Sequence, residues 1–210
     1  PIFHLLLNKK IKENNNSFLN IGGISNLTVI KDKDNFFAKD IGPGNCMIDK
    51  WIKQNSKISY DKNGDIARKG KVNKIILDQA LDIYLNNSIN DKKTYDINDF
   101  DVSFARGLSL EDGAATLTEF SAQIFSEKTF HKNIYICGGG RKNKFLLERI
   151  EKIIKNKIKL IDDLEIDGDF VESQAFAYLA IRSFLKLPIS FPETTGVKKP
   201  CSGGKIIKIK

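Results

Sequence analysis

Three glycine turns, each set directly behind a short apolar run, constrain this chain more than any other feature. Gly22-Gly23 and Gly42-Pro43-Gly44 punctuate residues 18–45, FLNIGGISNLTVIKDKDNFFAKDIGPGN, and Gly138-Gly139-Gly140 follows NIYIC at 133–137. The runs at 18–21, 27–30 and 36–38 are rich in β-branched and aromatic residues and bounded by turn formers, so they predict a three-strand meander. NIYIC predicts a buried fourth strand, and a helix over 144–155 starts just past its glycines. Strand, glycine loop and helix in succession form a frequent nucleotide-site arrangement, because the loop admits a flat base or sugar against backbone. Three consecutive glycines are costly to order, which argues against a mere surface loop. At Gly22 and Gly23 the missing Cβ lets N–H groups point at an anion, although the same dipeptide also makes a tight turn with no ligand. Neither G-x-x-x-x-G-K-[ST] nor the Rossmann fingerprint occurs.

The other elements follow from periodicity. Ile48, Trp51 and Ile52 predict a helix over 46–55, with Asn45 as its cap and a helix N-terminus as a second place to hold an anion. Asp40 stands at the strand end ahead of that turn, where a carboxylate suits hydrated Mg²⁺, a ligand hydroxyl, or the turn's own amides. A helix is expected over 74–85, then a long polar section over 86–107 of the kind that faces ligands or partners. Ser109, with acidic Asp112 three positions on, opens a helix over 113–130 with Leu117, Phe120 and Ile124 on one face. A short strand over 157–161 and a helix over 171–186 complete the order, with Ala175, Phe176, Leu179 and Phe184 available for packing. The fold class is α/β.

Composition excludes several classes. At 41% hydrophobic and 29% charged residues, a 210-residue chain can build a real core, and no apolar run reaches membrane-span length. The net charge of +8 comes from 34 basic residues scattered among 26 acidic ones, so no nucleic-acid surface is expected. Cys46, Cys137 and Cys201 lack metal-ligand spacing and a disulfide framework, which fits a reducing cytoplasm. His4 and His131 are isolated and read as packing or surface residues. The opening Pro-Ile-Phe-His looks like the inside of a longer protein, so a fragment or a split reading frame is expected.

A meander followed by αβαβα resembles one lobe of the actin-like (RNase H-like) ATPase and sugar-kinase fold. There the first hairpin holds phosphate and the loop after the fourth strand holds adenosine, and the glycine stretches fall at those two places. NIGGISNLT at 20–28, DIGPGN at 40–45, YDKNGDIARKG at 60–70, GLSLEDGAATLTEFSA at 107–122, ICGGGRKN at 136–143, ESQAFAYLAIRS at 172–183 and FPETTGV at 191–197 resemble, in order, successive blocks of the anhydro-N-acetylmuramic acid kinase family. The resemblance runs from Pro1 nearly to the C-terminus. It implies the C-terminal, nucleotide-facing lobe over 18–210, with 1–17 left from the connection between lobes. It further implies ATP-dependent phosphorylation of the anhydro amino sugar with ring opening by water, in peptidoglycan recycling. By the same resemblance Gly22, Gly23, Asn26, Asp40, Gly42, Gly44 and Asn45 lie by the ATP phosphates. Gly138, Gly139, Gly140 and Asn143 lie by the nucleoside, and Glu172 supports catalysis or the substrate side. Asp40 is the candidate contact to Mg²⁺, through water, and Glu172 also suits the helix dipole alone.

Departures from the family pattern carry equal weight. The family's Gly-Thr-Ser-x-Asp-Gly phosphate loop does not occur here, nor does its Ala-Asp…Gly-Gly-Gln-Gly-Ala-Pro-Leu segment, whose aspartate is the catalytic base. Ile41 stands where the family has Thr, and the middle loop, Lys93 to Ile97, lacks the family's arginine. The chain alone is therefore expected not to turn over. It is either one subunit of a split kinase, with a separately encoded N-terminal lobe as partner, or a noncatalytic nucleotide-binding remnant; a homodimer is a further candidate assembly.

Overall fold

The computed structural model describes residues 1–32, 35–86, 94–128 and 133–207. Five strands form one mixed sheet in the order β3-β2-β1-β4-β5, where β1 is Asn16–Ile21, β2 Ile24–Ile30, β3 Phe36–Pro43, β4 Asn133–Cys137 and β5 Lys159–Leu160. The first three strands make the antiparallel meander, and β4 joins β1 in parallel with Phe18 opposite Tyr135. A register shift between Ser25 and Asn26 sets Ser25 opposite Gly42 but Asn26 opposite Asp40, so Ile41 is an extra residue in β3.

The period of two in the strands decides which face each side chain covers. Leu19 and Ile21 of β1, Leu27 and Val29 of β2, and Ile134 and Ile136 of β4 enter one core. That core is filled by α2 (Cys46–Asn55), α3 (Lys74–Asn86), α4 (Leu110–Lys128) and α5 (Lys144–Ile154). Phe18, Ile30, Tyr135 and Cys137 point to the opposite face and meet Phe3 and Leu7 of α1 (Ile2–Asn8). Val171, Ala175 and Tyr178 of α6 (Val171–Phe184), and Phe191 just before α7 (Pro192–Thr195), pack on this second core only in part. The order is the expected meander followed by αβαβα, an α/β fold with one mixed sheet flanked by helices. No helix among the described residues is long and apolar enough to cross a membrane.

Several expectations need correction. The start of β1 lies at Asn16 rather than Phe18, and residues 1–17 also carry α1, where Ile2, Phe3, His4 and Leu7 bury on the second face of the sheet. The strand expected over 157–161 pairs only at Lys159 and Leu160, and a 3-10 turn, Ile161–Leu164, begins immediately after. Of the apolar residues of α6, only one stripe meets the sheet, so Phe176 (66% exposed) and Phe184 (69%) face solvent and α6 has no buried residue. The polar section contains two short 3-10 turns, Ile97–Asp99 and Ser103–Ala105. Lys93, the expected helix end at Phe130, and His131 lie outside the described residues.

Candidate functional site

The two early glycine turns are one body. N–H groups of Gly44 and Asn45 donate to the Gly23 and Gly22 carbonyls at 2.8 Å, and Cys46 N–H donates to Gly23 O at 3.2 Å. A Cβ on Gly44 would collide with Gly22 O, so only glycine lets the second turn seat against the first. These amides are the donors that the sequence offered to an anion at the start of α2, and the hairpin carbonyls take them instead. Asn45 does not cap α2 with its side chain; its Nδ2 reaches back to Gly22 O at 3.4 Å. Gly42 is buried against Ile124 of α4. Asp40 has an oxygen on each of two partners, accepting from Asn26 Nδ2 at 3.2 Å and from Tyr95 N–H at 3.0 Å. It thus ties the loop after 94 to the meander. Ile97 of that loop lies over Gly23, 3.6 Å from where a Cβ would stand.

The third turn divides its glycines by task. Gly138 adopts φ +79° beside Asn20 and Ile21, and a Cβ on Gly140 would collide with the Ile21 side chain. Both let the loop lie flat on β1. Gly139 has nothing within 4 Å of a Cβ and is exposed, so its smallness serves open space. Asn143 is buried and accepts from Leu146 N–H at 3.1 Å, capping α5.

Gly139 stands between two cavities. The first, about 650 Å³, is walled by Asn20, Gly22, Gly23 and Asn26 of the hairpin, by Gly138, Gly139 and Arg141, by His4 of α1, and by Asp169 and Glu172 at the entry to α6. The second, about 500 Å³, is walled by Asn45, Asp49, Tyr60, Asp61, Lys62, Asn63, Lys142 and Asn143, again with Gly139. Asp61 shapes that wall by accepting from Ile66 and Ala67 N–H at 2.8 and 2.9 Å. Eight of the twelve sequence-derived site residues, Gly22, Gly23, Asn26, Asn45, Gly138, Gly139, Asn143 and Glu172, line one or the other cavity. Asp40, Gly42, Gly44 and Gly140 stand behind the walls, each in a packing or hydrogen-bonding role.

Electrostatics separate the groups that can act from those that cannot. His4 is buried, shares a 2.8 Å hydrogen bond between Nδ1 and Thr28 Oγ1, and stacks on Phe18. Burial, then the nearby terminal ammonium, holds its pKa well below 6.5, so it lines the cavity as a neutral ring. Burial raises the Cys137 thiol to about 12 and the Cys46 thiol to about 11, which removes both as nucleophiles. Asp169 is held below its ordinary value by Lys142 first and Arg141 second. Glu172 makes no hydrogen bond or ion pair with a described residue, leaving its carboxylate open to the cavity. Among the described residues no three His, Cys, Asp or Glu side chains converge as a metal site. His4, Arg141, Asp169, Tyr60 and Lys62 were not singled out from sequence as site residues. Of these only Arg141 had a local signal, standing directly behind a glycine run with Lys142 next to it.

The chain matches the family profile "Anhydro-N-acetylmuramic acid kinase" over residues 1–208. It is 49% identical to the anhydro-N-acetylmuramic acid kinase of Pelagibacter ubique (strain HTCC1062), across 99% of this chain and 59% of that protein. It is 38% identical to the kinase of the same name from Zymomonas mobilis subsp. mobilis, across 98% of this chain and 58% of that one. Among solved structures it is similar to the activator of the 2-hydroxyisocaproyl-CoA dehydratase from Clostridium difficile with bound ADPNP, at 15% identity and a TM-score of 0.46, over 82% of this chain and 66% of that chain. The chain thus spans less than three fifths of the length of these curated relatives. On the strength of the profile and of these identities, carried along nearly its whole length, it belongs to the anhydro-N-acetylmuramic acid kinase family.

Proposed function

We propose that this chain is the nucleotide-facing lobe of an ATP-dependent kinase that phosphorylates 1,6-anhydro-N-acetylmuramic acid, with water opening the anhydro ring, and that it is inactive alone. The observation that carries the reading is the shared wall at Gly139. A nucleoside in the cavity beside Tyr60, Lys62 and Asn143 passes its phosphates over Gly139 into the cavity beside Gly22 and Gly23. Lys142 adds positive charge along that path. Mg²⁺ would supply charge neutralisation when it accompanies the phosphates, and Asp40, which stands behind the cavity wall tied to Asn26 and Tyr95, would contact it through water. Glu172 faces the substrate side of the first cavity.

Phosphoryl transfer needs positioning from both sides and a base for the nucleophile, and base assistance alone is worth roughly 10²–10⁴ in rate. The family's base motif does not occur within residues 1–210, so the base that the reaction needs is assigned to the family's N-terminal part. The complement sits on the bare side of α6, where Phe176, Ile181, Phe184 and Leu185 leave an apolar face beside the first cavity. An apolar face of this kind suits the docking of the family's N-terminal part, whether it belongs to the same polypeptide or to a separate one. Calorimetry with an ATP analogue and Mg²⁺, followed by a phosphotransfer assay with and without the N-terminal part of the Pelagibacter ubique kinase, tests it. The expected outcome is binding by the chain alone and turnover only in the mixture. Turnover by the chain alone, or no rescue together with no nucleotide binding, overturns it.

A further inference from the structure

Arg141 is 8% exposed although it lies beside an open cavity, and its guanidinium is held on three sides. Nε donates to Asp162 at 3.1 Å, one terminal nitrogen donates to Asp169 at 2.7 Å, and the other donates to the Gly138 carbonyl at 3.3 Å. The three partners come from separate places in the chain: the glycine loop, the 3-10 turn after β5, and the stretch entering α6. Asp162 uses its other oxygen to accept from Gly168 N–H at 3.1 Å, so its carboxylate ties the guanidinium to the α6 entry a second time. Gly168 has no room for a side chain, because a Cβ there would collide with the guanidinium. Lys142 also reaches Asp169, at 2.6 Å, adding a third connection between the loop and the α6 entry.

We infer that Arg141 is a positioning residue, a strut that holds the triple-glycine loop and the first turn of α6 at a fixed separation across the larger cavity. The inference rests on the nucleotide reading above. The planar guanidinium suits this task because it donates in several fixed directions at once, which a lysine ammonium on a flexible stem does not reproduce. Without the strut, three glycines with little side-chain packing of their own would sample many conformations. Gly139 would leave the boundary between the cavities, and Glu172 would lose its set distance from the hairpin. Arg141 acts through these residues rather than by touching the ligand.

The test compares the wild-type 210-residue chain with Arg141→Lys and Gly168→Ala, the second displacing the guanidinium without removing it. Arg68→Lys, at an exposed pair with Glu148, controls for loss of any arginine ion pair. Two readouts are taken: hydrogen exchange at the amides of 139–143 and 167–172, and affinity for an ATP analogue with Mg²⁺. Exchange is expected to rise about 10-fold in those two stretches for both variants, with the amides of β1 and α4 unchanged. Affinity is expected to fall about 5- to 10-fold, as for loss of one charged hydrogen bond. Arg68→Lys is expected to change neither. Unchanged loop exchange, or exchange rising uniformly with a lowered melting temperature, overturns the strut. A wild-type chain that binds no nucleotide refutes the functional reading instead, while the exchange data still decide the strut.

Discussion

Gly139 and Gly140 are neighbours under opposite demands. A methyl group on Gly140 has to displace Ile21, so Gly140→Ala is expected to lower stability by about 1–3 kcal/mol in a urea melt. A methyl on Gly139 meets nothing, so Gly139→Ala should melt within about 0.5 kcal/mol of wild type while weakening nucleotide binding measurably by calorimetry. The sequence marked all three glycines as a site but not which of them serve packing, since that depends on the distance to β1, a strand more than a hundred residues upstream. The same holds for Gly44 and Asn45, whose amides looked free for an anion until the hairpin carbonyls were seen to accept them. His4 gives a prediction with a definite sign. Its folded pKa lies below the unfolded value of 6.5, so as pH falls through 6.5 the unfolded chain takes up the proton first. Stability is therefore full above that pH and declines below it, by up to about 1.4 kcal/mol per pH unit. His4→Gln should flatten this part of the profile in melts taken from about pH 8 down to about pH 5.

At the scale of elements, alternation and helical spacing made most of the architecture readable. β4 was placed residue for residue and α2 likewise, because NIYIC alternates between the two faces and Ile48, Trp51 and Ile52 repeat at helical spacing. What could not be read was pairing across the chain. β5 offers only two residues to β4, and α6 turns its phenylalanines outward because the sheet has room for one stripe alone. The α2–α4 contact shows how narrow such fits are. Trp51 Nε1 donates to Leu110 O at 2.9 Å, and the indole lies flat over Gly113, where any Cβ would strike the ring. Gly113→Ala should gain helix propensity of about 1 kcal/mol yet lose more to the displaced indole. A net drop in the urea midpoint, with a shift in Trp51 fluorescence, is the expected result.

Among the described residues, one face of the sheet is closed by four helices, and the other is covered by α1, one stripe of α6, Phe191 before α7 and the turn at Ile161. Mixing the chain with the N-terminal part of a relative should protect α6 amides from exchange and slow proteolysis after Phe176 and Phe184. Absence of both would mean that this face does not receive the complement. The bare stripe of α6 also bears on what a melting temperature of this protein means. A surface that becomes covered only on association links folding to mass action, raising stability by RT ln(1 + [partner]/Kd). The melting point of the chain is then not a fixed property of its sequence. Under the two-part reading proposed above it climbs with the concentration of the part that covers Phe176, Ile181 and Phe184, so melts taken over a titration of that part measure the contact.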